Sequence, residues 1–228
     1  PYTTLFRSGE HKFQAFLDTI GAKSGDAVLV GAGPWLKLCG AMGTLRLDLA
    51  SRLNLLDNTK AAWCWIVDYP MYEAVEEGSL AAKQGKAVDF GHNPFSMPQG
   101  GLEALIQKNP LEILAYQYDL VLNGFEISSG AVRNQNPELM YKAFAIAGYS
   151  QEEVDQKFSG MINAFRYGAP PHAGNAPGLD RLIMVLNDWD SIRDMYAFPK
   201  DGQGRDLLMD SPNEVSPEQL KEIGVNLK

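Results

Sequence analysis

A turn signal in the middle of the chain constrains the fold more than any other feature. Residues 115–122 read as a strand, and residues 125–128 read as the strand returning beside it. Between them stands Asn123-Gly124. This dipeptide is the one best able to hold left-handed backbone at both positions of a two-residue hairpin turn. Antiparallel pairing results, with Leu122 facing Phe125 and Val121 facing Glu126. The aromatic and β-branched run at residues 63–68 predicts another strand, and residues 192–198 predict one more. Residues 74–90 are polar and mixed, and read as a hairpin or loop.

Helix signals lie between the strand signals. Asn136-Pro137-Glu138 opens a helix, with Asn as cap and Pro in the first turn. Ser150-x-x-Glu153 is a capping box ahead of Val154, Phe158, Met161, Ile162 and Phe165. Ser216-Pro217-x-Gln219 caps a short last helix. Leu179, Leu182, Ile183 and Leu186 recur at helical spacing. Hairpin-linked strands with helices grouped between them predict an α+β fold: an antiparallel sheet flanked by helices.

The opening block differs. Residues 1–9 carry no pattern that fits the rest of the chain, and read as a non-native leader. Residues 10–20 predict an amphipathic helix with Phe13, Phe16 and Leu17 on one side. After a turn at residues 23–26, residues 27–30 predict a short buried strand. Residues 36–53 predict a helix through Leu38, Met42, Leu45 and Leu49. Residues 10–57 thus read as part of a small α/β unit.

Composition narrows the function. A formal net charge of −8 argues against a chain built mainly to hold a nucleic-acid backbone, while leaving room for a local basic site. Cys39 and Cys64 match no metal pattern and no disulfide framework, so they read as reduced core thiols in a cytoplasmic protein. No apolar run approaches the roughly 18 residues of a membrane span.

Three groups of residues could carry chemistry. On the hairpin, Asp119 lies one diagonal step from Glu126 on the same face, about 7–8 Å apart. Two carboxylates at that reach can share a hard cation such as Mg²⁺; the alternative, which periodicity alone favours, is two solvated carboxylates on an edge hairpin. Past the small residues Ser128, Ser129 and Gly130 comes Arg133. It is either a fork for a substrate carboxylate or a surface ion-pair partner of Glu126, worth at most about 1 kcal/mol. In residues 167–181, a Pro/Gly-rich loop delivers Arg181 to the start of a helix. There the N–H groups and the dipole already favour anions. His92, in Gly91-His92-Asn93-Pro94-Phe95, is a lone loop histidine. His172, between Pro171 and Ala173, reads as stiffening its loop.

The run from Tyr167 to Arg181 resembles motif 3 of class II aminoacyl-tRNA synthetases, in its bacterial aspartyl-tRNA synthetase wording. The segment from Asn123 to Arg133 is similar to the strand in that family that contacts ATP, metal and the aspartate side chain. Gly91-His92-Asn93-Pro94-Phe95 resembles a family loop that usually reads His-His-Pro-Phe, with Asn93 in place of the second His. Residues 65–70 and 192–199 resemble strands beside the active site. The likeness runs from about residue 25 to the C-terminus.

The resemblance implies a role for each candidate. Glu126, Gly178, Leu179, Asp180 and Arg181 would bind ATP, with Arg181 catalytic. Asp119 and Glu126 would hold Mg²⁺, and His92 and Arg133 would bind L-aspartate. The activity would be an aspartate–tRNA ligase, forming aspartyl-adenylate and passing aspartate to the 3′ end of tRNA(Asp), with tRNA(Asn) left open as a second acceptor. A related ligase for asparagine or lysine, or a non-catalytic binding protein, is the alternative. Motifs 1 and 2 and an OB-fold are not found. The resemblance therefore implies the C-terminal part of a cytoplasmic, homodimeric parent without membrane contact. Residues 10–57 would be the end of an inserted domain and residues 58–228 part of the catalytic domain. Alone, the fragment would be inactive.

Overall fold

In the computed structural model, residues 10–226 are described. The expectation for residues 1–9 lies outside them. The chain divides into two units, Pro1–Asp57 and Asn58–Lys228. Among the described residues, no helix is long and apolar enough to cross a membrane.

The first unit holds α1 (Glu10–Ile20) and α2 (Trp35–Arg52). Residues 27–30 do not form the expected buried strand: they are irregular, and Val28, Leu29 and Val30 are exposed. Among its described residues this unit has no second extended segment. A lone strand there would leave its backbone groups without a ladder. The helical spacing of α2 is correct, yet none of its residues is buried. Cys39 in this unit and Cys64 in the next are both exposed, so neither is the core thiol expected.

The second unit is built on a four-stranded antiparallel sheet of order β1-β4-β5-β6. Its strands are β1 (Trp63–Pro70), β4 (Leu114–Leu122), β5 (Phe125–Val132) and β6 (Ala173–Pro177). β2 (Tyr72–Ala74) and β3 (Val88–Phe90) pair separately, with α3 (Leu80–Lys83) between them. The β4–β5 turn is as the dipeptide dictates: Asn123 and Gly124 have φ of 50° and 86°. Asn123 also ties the turn to the chain ahead of β1, accepting from the Ala62 amide at 2.8 Å and donating to the Lys60 carbonyl at 3.0 Å.

Helices α4 (Gly101–Gln107), α5 (Pro137–Ile146) and α6 (Gln151–Arg166) succeed one another, and the caps of α5 and α6 form. The Asn136 side chain accepts from the amides of Glu138 and Leu139. The Ser150–Glu153 capping box forms in full, as does that of Ser216 and Gln219 on the last helix, Pro217–Glu222. The core has two parts. In one, Met71, Tyr72, Leu105, Ile113, Ala115 and Leu139 pack together. In the other, Met140 and Phe144 of α5 meet Val154 and Ile162 of α6. Ile162 is fully buried. Ile162→Ala should therefore destabilise the unit by about 2–4 kcal/mol through lost transfer energy and a residual cavity. The urea unfolding midpoint measures this; a loss under about 0.5 kcal/mol, the usual surface value, would contradict the assignment of this cluster as core.

Two local expectations are corrected. Residues 192–198 are not a strand: Ile192–Met195 is a single 3-10 turn. The Ser191 side chain accepts from the Arg193 amide at 3.2 Å, and this local bond competes with extended pairing. The stretch before Arg181 is not all loop, because Ala173–Pro177 joins the sheet as β6. Strand β6 delivers the chain to α7 (Leu179–Leu186), which places Arg181 in the first helical turn as expected. The spacing of Leu179 and Leu186 marks the helix but not its packing: both are exposed, and Met184 is the buried residue.

Candidate functional site

Strict alternation would place Glu126 and Arg133 on opposite faces of β5, because an odd number of steps separates them. The register shows otherwise. Val121 pairs with Glu126, but Leu120 pairs with Ser128 and Asp119 with Ser129, so Ile127 is an extra residue in β5. Ile127 and Ser128 are consequently both buried. This bulge resets the alternation. Glu126, Ser129 and Arg133 now share one face of β5, and that face is the one carrying Asp119 on β4.

A second break acts on β1. Ile66 pairs with Asp119, and Val67 with Tyr118, but Tyr69 pairs with Ala115. At the shift, Asp68 has φ of 60° and accepts from the Gln99 side-chain amide at 2.7 Å. An unbroken strand would put Tyr69 opposite to Ile66. Instead the Tyr69 hydroxyl donates to Asp119, on the face that Ile66 shares. Burial raises the Tyr69 pKa above the usual phenol value. The bond to Asp119 and the negative charges of Asp119 and Glu126 add to the rise. The phenol is therefore a stable donor. Its ring meets His92 edge to face at a centroid distance of 5.0 Å.

The bulge also seats α7. The Gly178 amide donates to the Ile127 carbonyl at 2.7 Å. Arg181 Nη1 donates to the Glu126 carbonyl at 2.8 Å and lies 3.4 Å from Glu126 Oε1. Asp180 accepts from the Tyr196 hydroxyl. Leu179, at the helix start, is exposed. The Gly178 amide is thus engaged, while the exposed Arg181 fork retains further donors at the helix N-terminus.

Arg133 comes directly after β5. Its amide donates to the His172 carbonyl at 2.9 Å, and its backbone bridges to Ser96. The guanidinium lies over Gly174, where an added Cβ would come within 3.0 Å of Nη2. It is half-buried, and among the described residues no carboxylate pairs with it. Glu126 is paired with Arg181, so the alternative Glu126–Arg133 ion pair is not formed. His172 plays the modest part expected: its Nδ1 meets the Pro170 carbonyl at 2.9 Å.

The structure thus gathers Asp119, Glu126, Arg133 and Arg181 at one sheet face, with His92 linked to them through Tyr69. Tyr69 and Gly174 lie in segments that carry the family likeness, but their individual roles come only from the register break in β1 and the β5–β6 pairing. Asp119 and Glu126 are hard oxygen donors that fit Mg²⁺, which keeps most of its shell as water and phosphate oxygen. Among the described residues no third acidic, histidine or cysteine side chain completes a protein-only metal cage. An arginine at a helix N-terminus can grip a phosphate beside such a cation, and an unpaired arginine further along the face can take a carboxylate.

Residues 12–202 match the family described as tRNA synthetases class II (D, K and N), and the chain belongs to it. It is 55% identical over 209 residues to an aspartate–tRNA(Asp/Asn) ligase of Pelodictyon phaeoclathratiforme, covering 92% of this chain and 33% of that protein. It is 52% identical over 223 residues to an aspartate–tRNA(Asp/Asn) ligase of Chlorobium phaeobacteroides, covering 98% and 35%. Among solved structures, the aspartyl-tRNA synthetase of Entamoeba histolytica is 23% identical, with a TM-score of 0.44 over 85% of this chain and 31% of that one. The chain spans about a third of the length of the curated relatives it matches.

Proposed function

We propose that this chain is the C-terminal part of an aspartate–tRNA ligase. Asn58–Lys228 would belong to its catalytic domain and the block before it would be the end of an inserted one. The observation that supports this most is the half-buried Arg133. It has no carboxylate partner among the described residues, and it stands on the same face as Asp119 and Glu126. The parent would join L-aspartate to ATP, release pyrophosphate, and pass aspartate to the 3′ end of tRNA(Asp). The similarity to aspartate–tRNA(Asp/Asn) ligases supports tRNA(Asn) as a second acceptor.

Adenylate formation needs no protein nucleophile. The α-carboxylate of aspartate displaces pyrophosphate at the α-phosphate, so positioning and charge stabilisation carry the step. Arg133 holds the side-chain carboxylate and His92 borders it. Arg181 takes the developing phosphate charge, with its guanidinium oriented by the Glu126 carbonyl. Asp119 and Glu126 would hold Mg²⁺, which supplies positive charge to the phosphates when bound. Pyrophosphate exchange by the full-length protein, tested with aspartate, asparagine and lysine, separates the readings. Exchange with aspartate alone is expected; preference for asparagine or lysine would move the chain to a sister activity, and none at all would favour a binding protein.

Asp119→Ala and Glu126→Ala should each raise the Mg²⁺ requirement for ATP use on the order of 10- to 100-fold. Stability should hardly change. The Glu126–Arg181 pair is half-exposed, and such pairs contribute at most about 1 kcal/mol. Parallel titrations of Mg²⁺ dependence and melting temperature check this. Loss of both in proportion would return the hairpin to a purely structural role.

A further inference from the structure

We propose that Tyr69 is a positioning residue that joins the amino-acid half of the site to its nucleotide half. This rests on the ligase reading above and deepens it. The two groups that Tyr69 touches belong to different halves. Its hydroxyl donates to Asp119, the carboxylate assigned to Mg²⁺·ATP, while its ring packs edge to face on His92, which borders the aspartate. A carboxylate that accepts a fixed hydrogen bond has its remaining lone pairs aimed in one direction, and outer partners of this kind tune a metal site. The aromatic contact similarly limits the imidazole to one orientation.

The fold holds an unusual conformation to achieve this. Asp68 sits in the left-handed region at φ 60° and is pinned by Gln99. That break is what moves Tyr69 from the face of Val67 and Trp65 to the face of Asp119. Left-handed backbone at a non-glycine residue carries strain, which is retained where the surroundings over-determine it. Two contacts made by one re-aimed side chain, at the two ends of the site, point to a role beyond packing.

The test uses the full-length protein with Tyr69→Phe and Tyr69→Leu. The first keeps the ring and removes the hydroxyl; the second removes both contacts. Binding of Mn²⁺ in the presence of ATP is monitored at equilibrium by electron paramagnetic resonance, and aspartate KM is measured separately by pyrophosphate exchange. Tyr69→Phe should weaken Mn²⁺ binding about 10-fold while leaving aspartate KM within about twofold of wild type. Tyr69→Leu should weaken the metal to the same degree and raise aspartate KM as well. Unchanged Mn²⁺ binding in Tyr69→Phe, or an equal rise in aspartate KM in both variants, would overturn the proposal while leaving the ligase reading intact. A wild-type protein that takes up no Mn²⁺ with ATP would overturn both.

Discussion

Arg133→Leu is expected to abolish aspartate-dependent ATP–pyrophosphate exchange in the full-length protein. The guanidinium of Arg133 is half-buried over Gly174, and among the described residues no carboxylate neutralises it. A substrate carboxylate arriving there gains a planar, two-pronged partner that water cannot reproduce. Leucine would fill part of the space with apolar surface and leave that carboxylate desolvated and unpaired. Removing one member of such a pair costs about 3–5 kcal/mol, or roughly a thousandfold in the efficiency of aspartate use. The loss should fall on aspartate and spare Mg²⁺·ATP binding, since Arg181 and the carboxylate pair are untouched. Gly174→Ala should act in the same direction, because the new methyl group would crowd the guanidinium. Near wild-type exchange by Arg133→Leu would remove Arg133 from the amino-acid site.

Residues 10–228 expressed alone should show no exchange and poor solubility. Arg181, Asp119 and Glu126 approach the phosphates from one sheet face. Charge stabilisation needs donors arranged around the whole developing charge. The four-stranded sheet ends in β1 on one side and β6 on the other, and among the described residues no further strand pairs with either edge. On β1, Trp63, Trp65 and Val67 are 51%, 56% and 55% exposed. An apolar aromatic edge strand invites association. In the first unit, α2 buries none of its residues. Assays of aspartate-dependent exchange and sedimentation of the purified chain test both statements together. A soluble monomer with robust exchange would show that these residues carry the whole activity themselves.

Much of this protein was legible in residue order, wherever local chemistry decides. Asn123-Gly124 specified its turn because few residues tolerate two consecutive left-handed positions. Asn136, Ser150 and Ser216 specified helix starts because their side chains satisfy free amides within three residues. Helix α7 has no capping side chain, and the arginine at its start was visible because Leu179, Leu182, Ile183 and Leu186 recur at helical spacing. The hairpin spacing placed Asp119 and Glu126 on one face, as the register has them; Arg133, Arg181 and His92 were named by residue type and family likeness, and nothing in their spacing put them beside that pair.

Arg133 joining the face of Glu126, and Tyr69 joining that of Asp119, depend on two register breaks that no periodicity announces. Ile127 in β5 turns Glu126 and Arg133 onto one face and offers its carbonyl to Gly178, which seats α7 and Arg181. The break at Asp68 turns Tyr69 to Asp119 and His92. Residues 27–30 and 192–198 mark the opposite case. Both have strand-like composition, and neither forms a strand. Composition sets a preference of about 1 kcal/mol, whereas a strand exists only where a partner accepts its hydrogen bonds. Caps and turns close within a few residues and so can be read along the chain. Pairing partners, bulges and the faces they select are fixed by contacts tens of residues apart, and the chemistry of this site lies in those.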